Sequence, residues 1–253
     1  MARSEDADQV EITTCRVCPV NCKPYCPQEK FREAYGGRGQ EMLSFEYFRQ
    51  AISTVPREVW IGFAGFSEPF LNPRCVDMME LARDQGHPLT LYTTLVGAKV
   101  EDVPRVAALG VEELVLHTRD NQGVAKIPDT DQYREVLALA LDSWRIHDVS
   151  VMDVGFESNE RAGNCDGVAP RHVAGPLSCY KLERPNFVML PNGDCVLCCM
   201  DWTLRHRVGN LVWQPYAELV ASPEYRRVVA QAREPDGDAL CRSCKWAKPR
   251  GPP

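Results

Sequence analysis

Hydrophobic and polar positions alternate in two different ways along the first two-thirds of the chain. Short segments rich in branched and aromatic residues, such as residues 59–63 and 89–93, have the composition of buried strands. Between them, apolar residues recur every three or four positions, which is the period of an amphipathic helix. The predicted strands are 9–13, 59–63, 89–93, 113–117 and 150–154, and the predicted helices are 45–55, 75–85, 101–109 and 133–144.

This alternation is typical of parallel strands that are joined by right-handed helical crossovers. Five such strands, with room for a sixth, predict an α/β fold built on a partial (β/α)6 TIM-like barrel rather than a complete eightfold barrel. Barrels of this kind carry their chemistry at the C-terminal ends of the strands. A cysteine-rich segment follows the first predicted strand, and Ser67-Glu68-Pro69 follows the second.

The pattern changes near residue 170. Two short apolar segments flank Asn192-Gly193, the signature of a tight β-hairpin turn, and helices are predicted at 215–220 and 223–231. We therefore predict two domains: the partial barrel over residues 1–170, and a small subdomain of a β-hairpin plus helix over residues 171–253. The subdomain is poor in apolar residues, so we expect it to need a bound metal in order to fold.

Composition and charge narrow the function classes. The 253 residues carry a formal net charge of −6, which disfavours a broad basic surface for nucleic acid. No apolar run approaches the ~20 residues that a membrane-spanning helix needs. The polar N-terminal segment lacks the apolar stretch of a secretory signal, so we expect a cytoplasmic protein.

Twelve cysteines are the unusual feature of the composition. In a secreted chain they would predict disulfides, but closely spaced thiols in a reducing compartment are typical of metal sites. One group lies in a short segment after the first strand, and a second group lies in the last third of the chain. The first group is Cys15, Cys18, Cys22 and Cys26, and the second is Cys179, Cys195, Cys198, Cys199, Cys241 and Cys244.

Prolines interleave with the cysteines of the first group. They prevent a helix and favour a loop that folds back around a bound group. From the residues alone, three interpretations stay open: an iron–sulfur cluster, a zinc knuckle and a set of buried small residues.

The order of the elements carries a resemblance to a known family. A strand, a cysteine loop, a helix, a second strand and then Gly65-Phe-Ser-Glu68-Pro resemble the radical S-adenosylmethionine (radical SAM) superfamily. The resemblance implies that Cys18, Cys22 and Cys26 bind a [4Fe–4S] cluster and leave one of its irons open for SAM.

Two other residues of the cysteine loop bear on this ligand set. By the resemblance, Tyr25 occupies the aromatic position just before the third ligand and is a candidate catalytic residue. The gap between Cys22 and Cys26 is one residue longer than is usual in the superfamily, which leaves Cys15 as an alternative ligand.

The resemblance also implies a set of cofactor-binding residues beyond the cysteines. Glu68 would accept a hydrogen bond from the amino group of SAM, and Gly65 and Ser67 would allow SAM to approach closely. Thr93 and Thr94, at the end of the third predicted strand, are candidate hydrogen-bonding partners of SAM.

The later cysteines resemble Twitch, a shortened form of the SPASM module. Their spacing, the hairpin among them and the closing Cys-x2-Cys pair carry this resemblance together. It implies an auxiliary [4Fe–4S] cluster with four protein ligands, which are Cys179, Cys198, Cys241 and Cys244. A structural zinc site with the same ligands stays open, and Cys195 and Cys199 are extra thiols.

Over nearly its whole length the chain is similar to the radical SAM dehydrogenases of aminoglycoside biosynthesis. Residues 158–163 resemble a run that carries an active-site arginine in those enzymes, which makes Arg161 a candidate catalytic residue. His117, at the end of the fourth predicted strand, is positioned to face the same pocket.

The resemblance implies a mechanism and its partners. A flavodoxin- or ferredoxin-type protein supplies one electron, SAM is cleaved to a 5′-deoxyadenosyl radical, and this radical removes hydrogen from a small polar substrate. We expect the oxidation, or the epimerisation, of an alcohol carbon in an aminocyclitol or sugar-like molecule. Two alternatives stay open: a peptide-modifying radical SAM maturase, and a non-catalytic zinc or iron–sulfur protein that scaffolds a partner or transfers electrons.

Overall fold

The computed structural model describes most of the chain. The described residues are 7–22, 26–37, 39–120, 122–152, 160–167, 169, 171–237 and 239–250. Tyr25 and the first two residues of the 158–163 run lie outside these ranges. Within them, no helix combines the length and the apolar character that crossing a membrane requires.

Strands and helices alternate through the first part of the chain, as the periodicity predicts. The strands of this part are β1 (Gln9–Ile12), β2 (Trp60–Phe63), β3 (Leu89–Thr93), β4 (Glu113–Thr118) and β5 (Asp148–Val151). The helices are α1 (Gln28–Tyr35), α2 (Phe45–Ile52), α3 (Cys75–Asp84), α4 (Asp102–Leu109) and α5 (Asp131–Ser143). The helix α1, directly after the cysteine loop, is an element that the periodicity did not identify.

The later part is built from shorter elements. Its strands are β6 (Leu177–Ser178), β7 (Asn186–Met189), β8 (Asp194–Val196), β9 (Arg207–Asn210) and β10 (Lys248–Pro249). Its helices are α6 (Tyr180–Glu183), α7 (Tyr216–Val220) and α8 (Pro223–Arg233). The predicted hairpin is formed by β7 and β8, which pair antiparallel with Val188 opposite Val196.

One eight-stranded sheet organises the molecule, in the order β5-β4-β3-β2-β1-β7-β8-β9. The first six strands in this order run parallel, and the hairpin strands β8 and β9 continue the sheet antiparallel. The predicted α/β fold with a partial barrel is confirmed. The sixth parallel strand is β7, because Val10 of β1 lies between Ile61 of β2 and Phe187 of β7. The two predicted domains therefore share one sheet, and the boundary between them stays a prediction.

Local sequence signals account for the helix ends. Ser44 accepts a hydrogen bond from the backbone N–H of Tyr47, at 3.1 Å, and begins α2. Gly110 adopts a left-handed conformation and ends α4. In α5 the apolar face is narrower than its spacing predicts, since Leu141 is 52% exposed.

The strand β1 separates the apolar core from the barrel interior. Val10 and Ile12 belong to the core between the sheet and the helices. Gln9 and Glu11, at the alternate positions, are buried but line an interior cavity. A charged residue in the middle of the sheet is therefore directed towards the barrel interior.

Candidate functional site

A cavity of about 560 Å³ lies at the C-terminal ends of the parallel strands. Hereafter it is called the main cavity. The segment after β1 contributes Cys18, Cys22 and Cys26 to its lining. The loops after the next strands and the segment near residue 160 contribute the other residues predicted for this site, namely Gly65, Ser67, Glu68, Thr93, Thr94 and Arg161.

Cys15 is the early cysteine that does not line the main cavity. It is buried and forms an antiparallel bridge with Met42. Its Sγ donates to the carbonyl oxygen of Val17 at 3.3 Å, and its backbone N–H donates to Ser67 Oγ at 3.3 Å. These two hydrogen bonds join the start of the cysteine loop to Val17 and to the loop after β2. Ser67, which was predicted to allow SAM to approach, also holds this backbone in place.

The carboxylate of Glu68 is held by a set of hydrogen bonds. Thr93 Oγ1 donates to Oε1 at 2.6 Å, and the backbone N–H and Oγ1 of Thr94 donate to Oε2 at 2.6 and 2.7 Å. Burial raises the pKa of Glu68, and the bonds from the two threonines oppose that effect. Thr93 and Thr94 thus orient the carboxylate that borders the cavity, and their predicted contacts with SAM stay a prediction.

Gly65 is required by packing against the end of β1. Its φ is +58°, and a Cβ atom at this position would lie 2.4 Å from Thr13 Oγ1. The same hydroxyl accepts a hydrogen bond from the backbone N–H of Phe66, at 3.1 Å. The absence of a side chain therefore lets the loop after β2 pack directly on β1.

His117 and Arg161 meet in the main cavity. Burial, and then the positive charge of Arg161, lowers the pKa of His117 to about 4, so the imidazole is neutral at physiological pH. The Arg161 guanidinium lies 6.0 Å from the centre of the Trp202 ring. Arg161 thus lines the same cavity as the residues predicted to bind SAM, whereas the other candidate catalytic residue, Tyr25, lies outside the described residues.

A second, narrow cavity lies in the C-terminal part of the chain. Hereafter it is called the auxiliary cavity. Its lining includes the four cysteines predicted to hold a cluster, which are Cys179, Cys198, Cys241 and Cys244. Burial raises the pKa of Cys241 to about 12 and that of Cys244 to about 11. Of the two extra thiols, Cys195 is buried in β8, and Cys199 lines the main cavity.

The donor set of both cavities suits iron–sulfur clusters. All twelve cysteines fall within the described residues, and all are free thiols. In the described ranges, no three His, Cys, Asp or Glu side chains converge closely enough to hold one metal ion. Three early thiols line the main cavity and four thiols line the auxiliary cavity, and such all-sulfur donor sets are those that iron–sulfur clusters use.

Two buried polar atoms beside the main cavity point to a ligand as well. Gln28 Oε1 and Trp202 Nε1 have no hydrogen-bond partner, and both residues line the cavity. Buried polar groups are rarely left unsatisfied, so a bound molecule that completes them fits this site. The Gln28 Nε2 already donates to Cys26 Sγ at 3.4 Å, which places it beside the predicted cluster.

Several residues of this region were not assigned to it from the sequence: Glu11, Gln28, Lys181, Cys199 and Trp202. One signal was available for Glu11, because it is a charged residue at the inward-facing position of a buried strand. The others depend on contacts between distant segments, as for Trp202, whose ring packs against that of Phe66 at 4.5 Å.

Comparison with known proteins identifies a family for the C-terminal part of the chain. Residues 179–245 match the family model SPASM, described as an iron-sulfur cluster-binding domain. The C-terminal segment matches an iron–sulfur family. This segment spans the four thiols of the auxiliary cavity. No curated protein matches the chain at a significant level.

Solved structures share the fold of the whole chain. BtrN in complex with AdoMet and 2-DOIA has a TM-score of 0.70 at 14% identity, covering 94% of this chain and 93% of BtrN. Native anSMEcpe with bound AdoMet has a TM-score of 0.55 at 10% identity, covering 94% of this chain and 86% of its own. Native anSMEcpe with bound AdoMet and Kp18Cys peptide has a TM-score of 0.56 at 12% identity, with the same coverage. At these identities the likeness establishes the fold alone.

Proposed function

We propose that the chain is a radical SAM oxidoreductase with two [4Fe–4S] clusters. Cys18, Cys22 and Cys26 would hold the first cluster with one iron left for SAM, and the four thiols of the auxiliary cavity would hold the second. The observation that carries this proposal is the main cavity, which brings three thiols from one loop to the ends of the parallel strands beside Glu68 and Arg161. With SAM and an electron, the first cluster supplies a 5′-deoxyadenosyl radical, which removes hydrogen from an unactivated carbon.

The protein residues around the cavity fit the binding of SAM. Glu68 is an acceptor whose two oxygens are fixed by Thr93 and Thr94, so its orientation is set before SAM binds. Arg161 brings a positive charge into the same cavity and is the candidate contact for a carboxylate or for a substrate hydroxyl. The neutral His117 can accept or donate a hydrogen bond at neutral pH.

A small polar substrate suits the remaining lining of the cavity. Gln9, Glu11, Tyr92, His117 and Ser150 all border it and present groups that hydrogen-bond to hydroxyls or amines. We infer that the substrate is an aminocyclitol or sugar-like molecule and that one of its alcohol carbons is oxidised or epimerised. The sequence resemblance to the radical SAM dehydrogenases of aminoglycoside biosynthesis, of which 2-deoxy-scyllo-inosamine dehydrogenase is one, supports the oxidation.

In the oxidation, the alcohol loses one hydrogen atom, one proton and one electron. The second cluster would accept that electron, and its four protein ligands would leave no iron open to the substrate. A flavodoxin- or ferredoxin-type protein would supply the electron that starts each turnover. Free thiols and two clusters of this kind persist in a reducing compartment, so we place the protein in the cytoplasm.

A peptide substrate is the second candidate. It is favoured by one observation, namely that anSMEcpe with a bound peptide shares this fold over 94% of the chain. In that case the same clusters would act on a side chain of a peptide rather than on a ring alcohol.

The experiment that tests the enzyme proposal is anaerobic purification and reconstitution. We expect a brown protein with about eight irons per chain, as two four-iron clusters require, and 5′-deoxyadenosine on reduction with SAM. A variant with Cys18, Cys22 and Cys26 exchanged for alanine should lose about half of the iron and all SAM cleavage. Cys75→Ala is the control, because Cys75 is a buried thiol in α3 that lies outside both cavities.

Colourless protein with stoichiometric zinc would contradict the proposal and favour the scaffold alternative. Substrate classes are separated by incubation with aminocyclitols and with peptides in deuterated buffer. Loss of two hydrogens from a cyclitol supports oxidation, uptake of one solvent deuterium at constant hydrogen count supports epimerisation, and turnover of peptides alone supports the maturase.

A further inference from the structure

Only one layer of side chains separates the main cavity from the auxiliary cavity. Lys181, Met200 and Trp246 line both of them. On the same wall, Cys198 faces the auxiliary cavity and its neighbour Cys199 lines the main cavity. Groups bound in the two cavities would therefore both contact the same three residues.

This wall contains a buried ion pair. Lys181 Nζ lies 3.4 Å from Glu11 Oε1, and the two side chains are 9% and 10% exposed. Among the ion pairs of the described residues, no other has both side chains this deeply buried. Burial, and then the negative charge of Glu11, raises the pKa of the Cys199 thiol, so Glu11 lies close to this thiol as well.

Packing alone does not account for such a pair. Removing two charges from water is costly, and well-packed apolar residues of similar volume commonly give equal or greater stability. The pair joins β1 of the barrel to α6 of the C-terminal part, at residues 170 positions apart in the sequence. A charge at this position acts electrostatically on groups bound in either cavity, because the field of a charge is weakly screened in a buried site.

We propose that Lys181 is a positioning residue that raises the reduction potential of the cluster in the auxiliary cavity, and that Glu11 limits this effect. The inference rests on the proposed function, since it requires a cluster at that site. Four thiolates make a [4Fe–4S] cluster an anion, and reduction adds one more negative charge. A cation in the cavity wall therefore stabilises the reduced form more than the oxidised form. The wall faces the substrate on its other side, so the same cation favours transfer of the substrate electron to this cluster.

The test is a redox titration followed by electron paramagnetic resonance. It uses the full chain with Cys18, Cys22 and Cys26 exchanged for alanine, so that only the auxiliary cluster contributes. In Lys181→Met we expect the equilibrium constant for reduction of this cluster to fall at least tenfold, which for one electron is 59 mV towards negative potential. Lys181→Arg keeps the charge and should stay within threefold of the parent.

Glu11→Gln provides the opposite perturbation. It removes the counter-charge and keeps the lysine, so the potential should move in the positive direction. The double variant Glu11→Gln/Lys181→Met removes both charges and leaves no unpaired carboxylate, so its reduction potential should shift less than that of Lys181→Met. It also keeps the test valid if the single variant Lys181→Met does not fold. Lys245→Met is the matched control: Lys245 follows Cys244 in sequence but is half-buried, and water screening should make its effect smaller.

Two results would overturn the inference while leaving the proposed function intact. One is an auxiliary cluster that forms fully in Lys181→Met with an unchanged potential. The other is a change of the reduction potential in the same direction in Lys181→Met and in Glu11→Gln, which would indicate a general disturbance of packing rather than an effect of charge. An iron content that shows no cluster in the auxiliary cavity of the parent would overturn the proposed function, and the inference with it.

Discussion

Separate exchange of Cys15 and Cys26 for alanine distinguishes the thiols that would hold the first cluster. Cys26 lines the main cavity and accepts a hydrogen bond from Gln28, whereas Cys15 bonds to the backbone of Val17 outside that cavity. We therefore expect Cys26→Ala to lose one of the two clusters and Cys15→Ala to keep both. SAM cleavage should be abolished in the first variant and largely retained in the second.

The structure also gives the size of the effect on stability. Cys15 is 4% exposed, so its exchange removes one buried sulfur and one weak S–H bond. Such a loss costs about 1–2 kcal/mol, which corresponds to a decrease in Tm of roughly 2–8 °C for a chain of this size. Because this cost is small against the stability of a typical domain, Cys15→Ala should remain folded and active at 25 °C.

The assay combines iron content, 5′-deoxyadenosine formation and thermal unfolding, all measured anaerobically on the same preparations. Iron should fall by about half in Cys26→Ala and stay near the parent value in Cys15→Ala. Cys75→Ala reports the effect of losing a buried thiol outside both cavities. If Cys15→Ala loses iron and SAM cleavage while Cys26→Ala keeps them, the cluster is held by a different set of three thiols.

Three further predictions concern other parts of the site. Cys244→Ala should lower the iron content by about half and stop product formation while abortive SAM cleavage continues; loss of all SAM cleavage from folded protein would contradict separate roles for the two cavities. Gly65→Ala should destabilise the protein by about 2–4 kcal/mol, because its Cβ would lie 2.4 Å from Thr13 Oγ1 at a φ of +58°. Urea unfolding measures this loss, and an unchanged unfolding midpoint would show that the loop after β2 is not packed on β1 as described. His117 has a folded-state pKa of about 4 against 6.5 in the unfolded chain, so between these values the unfolded state binds more protons and stability falls as the pH falls. Because His117 is partly exposed, we expect its contribution to the free energy of unfolding to be at most about 2 kcal/mol. The variant His117→Gln should remove this pH dependence. If urea unfolding depends on pH equally in the variant and the parent, the pKa of His117 is not depressed in the folded state.

Local patterns in the sequence determined the class of the fold and the position of its elements. Helix ends at Ser44 and Gly110 follow from capping preferences of a few neighbouring residues, and the Asn192-Gly193 turn specifies its hairpin in the same way. The cysteine spacing likewise predicted two sets of ligands, and the structure places the predicted three at the main cavity and the predicted four at the auxiliary cavity. The helix ends and the hairpin turn are local features, because each depends on residues that are close together in the chain.

The tertiary structure alone decided which residues meet across the sheet. The helix α6 precedes β7, which pairs with β1, and this arrangement brings Lys181 to Glu11. The loop after β1 places Cys15 in a bridge with Met42 rather than at the main cavity. The position of Trp202 beside Phe66 has the same origin. No preference of a single segment encodes such contacts, because the register between distant strands is set by the sum of many packing and hydrogen-bonding contributions across the whole core.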